Sequence, residues 1–275
     1  SGAPNHADSF SVSSINLVFC VAAQFAGATA TPEFLTYLDH FLRIDYGQDY
    51  YKRLDKVIEF RVSGDLTLKG KIENMFQQVV YTVNQPAAAR GNQSVFWNIA
   101  YFDKYYFEAI FKGFFFPDGD KPCWESVNVL QKLFMKWFNK ERTHEVMTFP
   151  VETFNLLNDG NGDYKDKENA EFCAEMLAEG HSFFIYQSDS PDALASCCRL
   201  RNALENNEFS YTLGAGGIET GSKGVITLNL NRIVQDWKNE GCKVTLKERI
   251  TEITERVHKY LSAFNDIVWD YYNNR

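Results

Sequence analysis

The sequence predicts an α/β fold. Helical and strand-like stretches alternate along the chain, and the helical ones carry their apolar residues on one face. No internal repeat or low-complexity linker interrupts the alternation, and 275 residues fit one large domain as readily as two small ones. With 45% hydrophobic and 23% charged residues, the composition is that of a folded chain. The 23 Phe and 14 Tyr call for a large buried interior.

Residues 8–27 read as a buried helix, capped by Asp8 or Ser9 and ended by Gly27. Thr31 and Pro32 suit the cap and first turn of a second helix, whose stripe is Phe34, Leu35, Leu38, Phe41 and Leu42. A polar stretch follows around 47–56. Residues 71–83 fit a helix through Ile72, Met75, Phe76 and Val79, with a strand equally open at 79–83. Asn84 to Asn98 is turn-rich and ends in an apolar edge. Phe114 to Asp118 reads as a strand running into a turn. Trp124 to Glu141 is a long amphipathic helix with Val127, Leu130, Phe134 and Trp137 on one face. Beyond it come a strand at 148–157, a helix at 166–178 ending at Gly180, and strands at 183–186 and 222–230. A long helix over 245–272 closes the chain.

A formal net charge of −8 without any Lys/Arg run argues against a nucleic-acid polymer as partner. Free nucleotides need only a few local donors and remain open as ligands. The apolar run from Val12 to Thr31 holds Asn16, Gln24 and several Ser/Thr, which argues against a spanning helix, and it lacks the basic flank of a signal peptide. No membrane partner is expected. Cysteines at 20, 123, 173, 197, 198 and 242 form no CxxC pair, so reduced thiols in a cytoplasmic protein are the expected state. The opening Ser1 fits a processed or excised piece.

The most informative stretch is Ser196-Cys197-Cys198-Arg199-Leu200-Arg201-Asn202. Adjacent cysteines make a poor metal pair, and small buried thiols are the ordinary reading of such a doublet. Its neighbours raise its interest. Upstream lie Gln24 to Ala28, Arg90-Gly91-Asn92-Gln93-Ser94-Val95-Phe96-Trp97-Asn98, and Thr148-Phe149-Pro150-Val151-Glu152-Thr153-Phe154-Asn155. Downstream lie Leu213 to Gly217 and Thr220-Gly221-Ser222-Lys223-Gly224 running on to Arg232. In this order and spacing the set resembles the class III, anaerobic, glycyl-radical ribonucleoside-triphosphate reductases over nearly the whole chain.

The resemblance implies part of a ten-stranded α/β barrel with a finger loop inside it. Residues 1–275 would then be a partial catalytic barrel domain. Cys198, directly before Arg199, matches the cysteine that carries the thiyl radical, with Cys197 as the fallback. A thiyl suits the task because S–H and the ribose 3′ C–H have comparable strengths, and the closed barrel keeps water and oxygen away. Substrate-pocket candidates are Gln93, Ser94, Asn98, Arg199, Gly221, Ser222 and Lys223. The 220–224 turn is equally a tight turn before a strand, and Gln93, Ser94 and Asn98 are equally strand-end hydrogen bonders. Cys20, Cys123, Cys173 and Cys242 are expected to be structural.

The resemblance further implies ribonucleoside triphosphates as substrates, formate or a thiol as reductant, dNTP/ATP effectors and a homodimer. It also implies an iron–sulfur activating enzyme that uses S-adenosylmethionine. No cofactor is expected on this segment. The ATP-binding module, the zinc site of four cysteines and the radical glycine are expected outside it. Turnover would therefore need a complementary C-terminal segment, and the open strand edges of a part-barrel call for a partner. Two other readings stay open: a formate acetyltransferase-like glycyl-radical enzyme, some of which use adjacent cysteines, and a non-catalytic or split-enzyme piece that binds nucleotide or assists assembly. Asp159-Gly160-Asn161-Gly162-Asp163 imitates a calcium loop, but Tyr164 and Ala170 stand where glycine and a bidentate Glu are needed, so a surface turn is expected.

Overall fold

The computed structural model describes residues 3–24, 28–86, 94–191, 193–195, 201–203 and 226–274, with backbone alone at 193–195 and 201–203. The chain divides into two compact units, 1–220 and 221–275.

The first unit is built on a parallel sheet with helices between its strands. Strands β1 (Thr29–Ala30), β4 (Trp97–Phe102), β5 (Val151–Leu157) and β6 (Phe184–Ser188) lie side by side in that order. All three pairings are parallel. Parallel neighbours need long crossovers, which here contain α2 (Phe34–Tyr46), α3 (Leu68–Val83), α4 (Lys104–Ile110), α5 (Trp124–Glu141) and α6 (Lys167–Ala178). Helix α1 (Ala7–Gln24) precedes β1, and a small antiparallel pair, β2 (Val57–Glu59) with β3 (Leu66–Thr67), precedes α3. The mixed α/β class agrees with the sequence, and the parallel pairing of the sheet is a feature that the structure adds.

The main core gathers Leu38 and Leu42 from α2, Ile72, Phe76 and Val80 from α3, Phe134 and Phe138 from α5, and Trp97, Ile99, Tyr101, Phe154 and Leu156 from the sheet. A second aromatic cluster holds Phe102, Tyr106, Phe107, Phe111, Phe114 and Phe116. Helix α5 matches its sequence reading, and α6 begins after Asp166, whose side chain accepts from Asn169 N. At the end of α6, Gly180 takes φ +88°, which lets His181 N reach back to Met176 O.

Several expectations are corrected. Helix α1 is one-faced rather than buried: Ala7, Ser11, Ile15, Val18 and Ala22 point inward while Val12 and Leu17 are exposed. Thr31 does not cap α2, because its hydroxyl accepts from Trp97 Nε1 at 2.8 Å and the helix starts at Phe34. Residues 79–83 finish a helix; the i, i+3, i+4 burial of Met75, Phe76, Val79, Val80 and Val83 outweighs their β propensity.

Residues 114–118 are not a strand. Phe116 N donates to Asp120 O within a turn, and side chains tie that turn to α2. His40 stacks on Phe116 at 3.9 Å with Asp118 and Asp120 at 3.1 and 3.3 Å, and buried Arg43 reaches Asp120 at 2.6 Å. Arg43 also holds buried Asp39 at 3.0 Å, while burial still lifts the Asp39 carboxyl to about 6.

At the start of α2, Glu33 lines an apolar cleft of about 650 Å³ beside Phe10, Leu17, Phe34, Tyr37 and Phe41. Its Oε2 is buried without a hydrogen-bond partner, and desolvation raises the carboxyl from 4.5 to about 7. The folded value exceeds the unfolded one, so this group favours the protonated fold. Stability is undiminished below about pH 4.5 and falls as pH rises through about 7. Glu33→Gln should therefore leave urea stability unchanged at pH 4 and raise it by about 1–2 kcal/mol at pH 8, an amount discounted for the residue's partial exposure. Equal effects at both pH values would refute this assignment.

The second unit contains α7 (Leu230–Asn239) and α8 (Leu246–Asn273). Thr245 and Glu248 form a capping box, as the start of a long helix at this point requires. Trp237 Nε1 donates to Val244 O at 2.6 Å, and Arg249 pairs with Glu240 at 3.2 Å. Neither helix has a buried residue. The strand expected over 222–230 is corrected in its described part: residues 226–229 are irregular, and Asn229 caps α7 by accepting from Arg232 N. Among the described residues no helix is long and apolar enough to cross a membrane.

Candidate active site

Strands β4 and β5 are buried almost throughout, so both of their faces are covered. On one face Trp97, Ile99, Tyr101, Phe154 and Leu156 join the main core, with Glu152 among them. The alternate residues mix Ala100, Phe102 and Leu157 of the second aromatic cluster with three polar side chains. Asn98, Thr153 and Asn155 are polar, at 2%, 2% and 0% exposure. The register sets Ala100 beside Thr153 and Phe102 beside Asn155.

Asn98 donates from Nδ2 to Val151 O at 2.7 Å and to Thr153 Oγ1 at 3.2 Å. Asn155 donates from Nδ2 to Tyr101 O at 2.9 Å, while its Oδ1 is buried with no partner. At the carboxyl end of this pair, Asp103 accepts from Leu157 N and Tyr106 N, each at 2.6 Å, and so couples the end of β5 to the start of α4. Burial raises the Asp103 carboxyl above its usual range.

Strand β7 (Ala193–Ala195) pairs antiparallel with β8 (Arg201–Ala203), Ala195 facing Arg201. Residues 196–200 therefore connect the two strands of a ribbon. Strand β7 lies against β5.

Of the sequence candidates, Ser94 precedes β4 and donates from Oγ to Asn84 O at 2.9 Å. Asn98 sits within β4, its amide engaged as above. Gln93, Cys197, Cys198, Arg199, Gly221, Ser222 and Lys223 lie outside the described residues. Thr153 and Asn155 were quoted in the sequence without a role. Their signal was two polar residues at strand spacing, which ordinarily marks a solvent face and here marks a buried one. Among the other cysteines, only Cys173 is buried, its thiol pushed up to about 12 by desolvation. Cys123 is intermediate, and Cys20 and Cys242 are exposed, so burial does not explain all four.

The 159–163 segment is the surface turn expected of it: Asp159 Oδ1 accepts from Asn161 N and Asp163 N, and Lys167 pairs with Asp163 at 2.8 Å. Among the described residues no three His, Cys, Asp or Glu side chains gather as a metal site.

The family profile described as anaerobic ribonucleoside-triphosphate reductase matches residues 1–274. The anaerobic ribonucleotide reductase of Thermotoga maritima, crystallised with MES in the active site, is similar over 100% of this chain and 42% of its own. It is 29% identical, with a TM-score of 0.67. The same enzyme in complex with dATP and CTP matches 72% of this chain and 31% of its own, at 31% identity and a TM-score of 0.59. With citrate in the active site it matches 70% and 32%, at 30% identity and a TM-score of 0.59. The chain thus spans well under half the length of these structures. None of the curated proteins matches the sequence. With the profile running over 1–274, the chain belongs to the anaerobic ribonucleoside-triphosphate reductase family.

Proposed function

We propose that this chain supplies the thiyl-bearing cysteine and part of the substrate pocket for reduction of ribonucleoside triphosphates to 2′-deoxyribonucleoside triphosphates. The supporting observation is the β7–β8 register: Ala195 pairs with Arg201 across antiparallel strands, so the cysteine doublet falls among the five residues between them in sequence, and β7 lies against β5. A short loop on a paired ribbon is a suitable carrier for a residue that must enter an enclosed site. Cys198 is the radical cysteine in this reading, and Cys197 the fallback.

The chemistry assigned to Cys198 balances. Its thiyl forms an S–H bond as the ribose 3′ C–H bond breaks. The 2′-hydroxyl takes a proton and leaves as water, two electrons come from formate as it is oxidised to CO2 or from a pair of thiols as they close to a disulfide, and the S–H returns its hydrogen to C3′, which regenerates the thiyl. A glycyl radical outside these 275 residues provides the oxidising equivalent that makes the thiyl. Gln93, Ser94, Asn98, Arg199, Gly221, Ser222 and Lys223 are the proposed pocket, small residues at 221–222 letting backbone N–H groups approach an anionic ligand.

Residues 1–275 act in this reading as part of a barrel domain in a cytoplasmic, homodimeric enzyme, completed by a C-terminal segment with the zinc site and radical glycine. dNTP/ATP effectors regulate it, and an iron–sulfur enzyme using S-adenosylmethionine activates it. The dATP and CTP complex of the Thermotoga enzyme supports nucleotides as ligands of the fold.

Calorimetry tests the substrate class. A ribonucleoside triphosphate such as CTP should bind at micromolar to millimolar concentration, and an acyl thioester should not. Binding of the thioester alone would move the chain to the acyl-transferring glycyl-radical enzymes.

A further inference from the structure

The β4–β5 face opposite the main core carries a donor and an acceptor that the reductase reading has not yet used. Asn155 is fully buried, and its Nδ2 is committed to Tyr101 O at 2.9 Å. That bond fixes the amide plane and leaves Oδ1 as an oriented acceptor. The oxygen is buried and has no hydrogen-bond partner. A buried amide oxygen without a donor is uncommon, because its desolvation goes uncompensated. Two residues earlier on the same face, Thr153 Oγ1 accepts from Asn98 Nδ2 at 3.2 Å, which leaves the hydroxyl hydrogen to donate elsewhere.

The two groups stand about 7 Å apart along the strand, the repeat of same-face residues. A sugar carrying hydroxyl donors and oxygen acceptors can span them. Two further features support a ligand at this strand. Asn155 lies in the carboxyl half of β5, and ligands of parallel sheets gather at the carboxyl ends of strands. Strand β7, which leads into the cysteine doublet, lies against β5.

We infer that Asn155 and Thr153 form the sugar-binding wall of the site: Asn155 Oδ1 accepts a hydrogen bond from a ribose hydroxyl, and the Thr153 hydroxyl donates to a sugar or phosphate oxygen. The inference rests on the reductase reading and adds two substrate-binding residues to it. Asn98 becomes a positioning residue that acts by orienting Thr153.

The test compares CTP with 2′,3′-dideoxy-CTP by calorimetry on the reductase containing this sequence. Wild type should prefer CTP by about tenfold or more, a margin set by the sugar hydroxyls. Asn155→Leu removes the acceptor and keeps the branched side-chain shape, with two bulkier methyl groups in place of the amide oxygen and nitrogen. It should cut the preference to about twofold or less; the orphan oxygen goes with it but so does the bond to Tyr101 O, and the thermal unfolding midpoint, measured alongside, reports whether the variant folds. Thr153→Val, which keeps the β-branched shape, should weaken CTP binding about threefold or more. If Asn155→Leu does not fold, Thr153→Val decides alone. An undiminished preference and affinity in the folded variants would assign both groups to the fold and overturn the inference, leaving the reductase reading intact. Failure of wild type to bind CTP at all would overturn that reading itself.

Discussion

Cys198→Ser should abolish ribonucleotide reduction in the activated reductase containing this sequence, a loss of at least about 10³-fold in kcat. Serine keeps the shape and a polar hydrogen, so the substitution is nearly isosteric. What it removes is the bond-strength match. An O–H bond is stronger than the ribose C–H bond, and the enzyme has no means of making an oxygen radical at that position. Binding of CTP should survive, because sulfur contributes to the chemical step and little to ground-state affinity. Cys197→Ser separates the neighbours: it should retain most of the activity. The reverse pattern, with Cys197→Ser dead and Cys198→Ser active, would shift the role by one residue. Full activity in both variants would reduce the doublet to a relic and the chain to a nucleotide-binding or assembly piece.

Much of the fold was legible because it rests on local periodicity. The 3.6-residue stripe of Val127, Leu130, Phe134 and Trp137 defines α5, and Thr245 with Glu248 announces α8. The sequence failed where tertiary burial replaces periodicity. Strand β4, Trp97–Phe102, is buried at all six positions, so it shows no alternation, and only the apolar edge that closes 84–98 points to its start. Phe114 and Phe116 do alternate with the more exposed Phe115, but no strand pairs with them among the described residues. Their order comes from His40 and Arg43, distant in sequence. Residues 222–230 look strand-like, yet in their described part Asn229 caps a helix.

The site divides in the same way. The doublet was legible through its resemblance to a family, since two thiols alone name no chemistry. The polar row of Asn98, Thr153 and Asn155 required the sheet register, because only pairing shows that β4 and β5 turn these residues to one buried face.

That face depends on what holds β5 from the other side, and there the largest stability effect is expected. Glu152 is fully buried between Thr153 and Val151. Its Oε1 accepts a short hydrogen bond from the Tyr101 hydroxyl, and Arg142 Nη1 reaches Oε2 at 3.2 Å. His181 Nε2 lies 2.8 Å from the same oxygen but lacks hydrogen-bond geometry, so it packs beside the carboxylate without donating to it. Burial and the adjacent carboxylate hold the Tyr101 hydroxyl well above its ordinary range, so it stays a donor. The cluster joins the start of β5 to the end of α5 and to the chain entering β6. Glu152→Ala leaves Tyr101 buried without an acceptor and Arg142 without its carboxylate, and should cost about 3–5 kcal/mol in urea unfolding. Arg142 keeps Ser182 O at 2.8 Å and stays packed on Phe138, which limits its share. Glu152→Gln keeps an acceptor for Tyr101 and should cost about 1–2 kcal/mol. The double variant Glu152→Leu with Tyr101→Phe should be less destabilised than the sum of its single changes, since together they remove both ends of one bond. Simple additivity would mean that the Tyr101–Glu152 bond contributes nothing. The rest of the cluster would then fix the strand on which Thr153 and Asn155 stand.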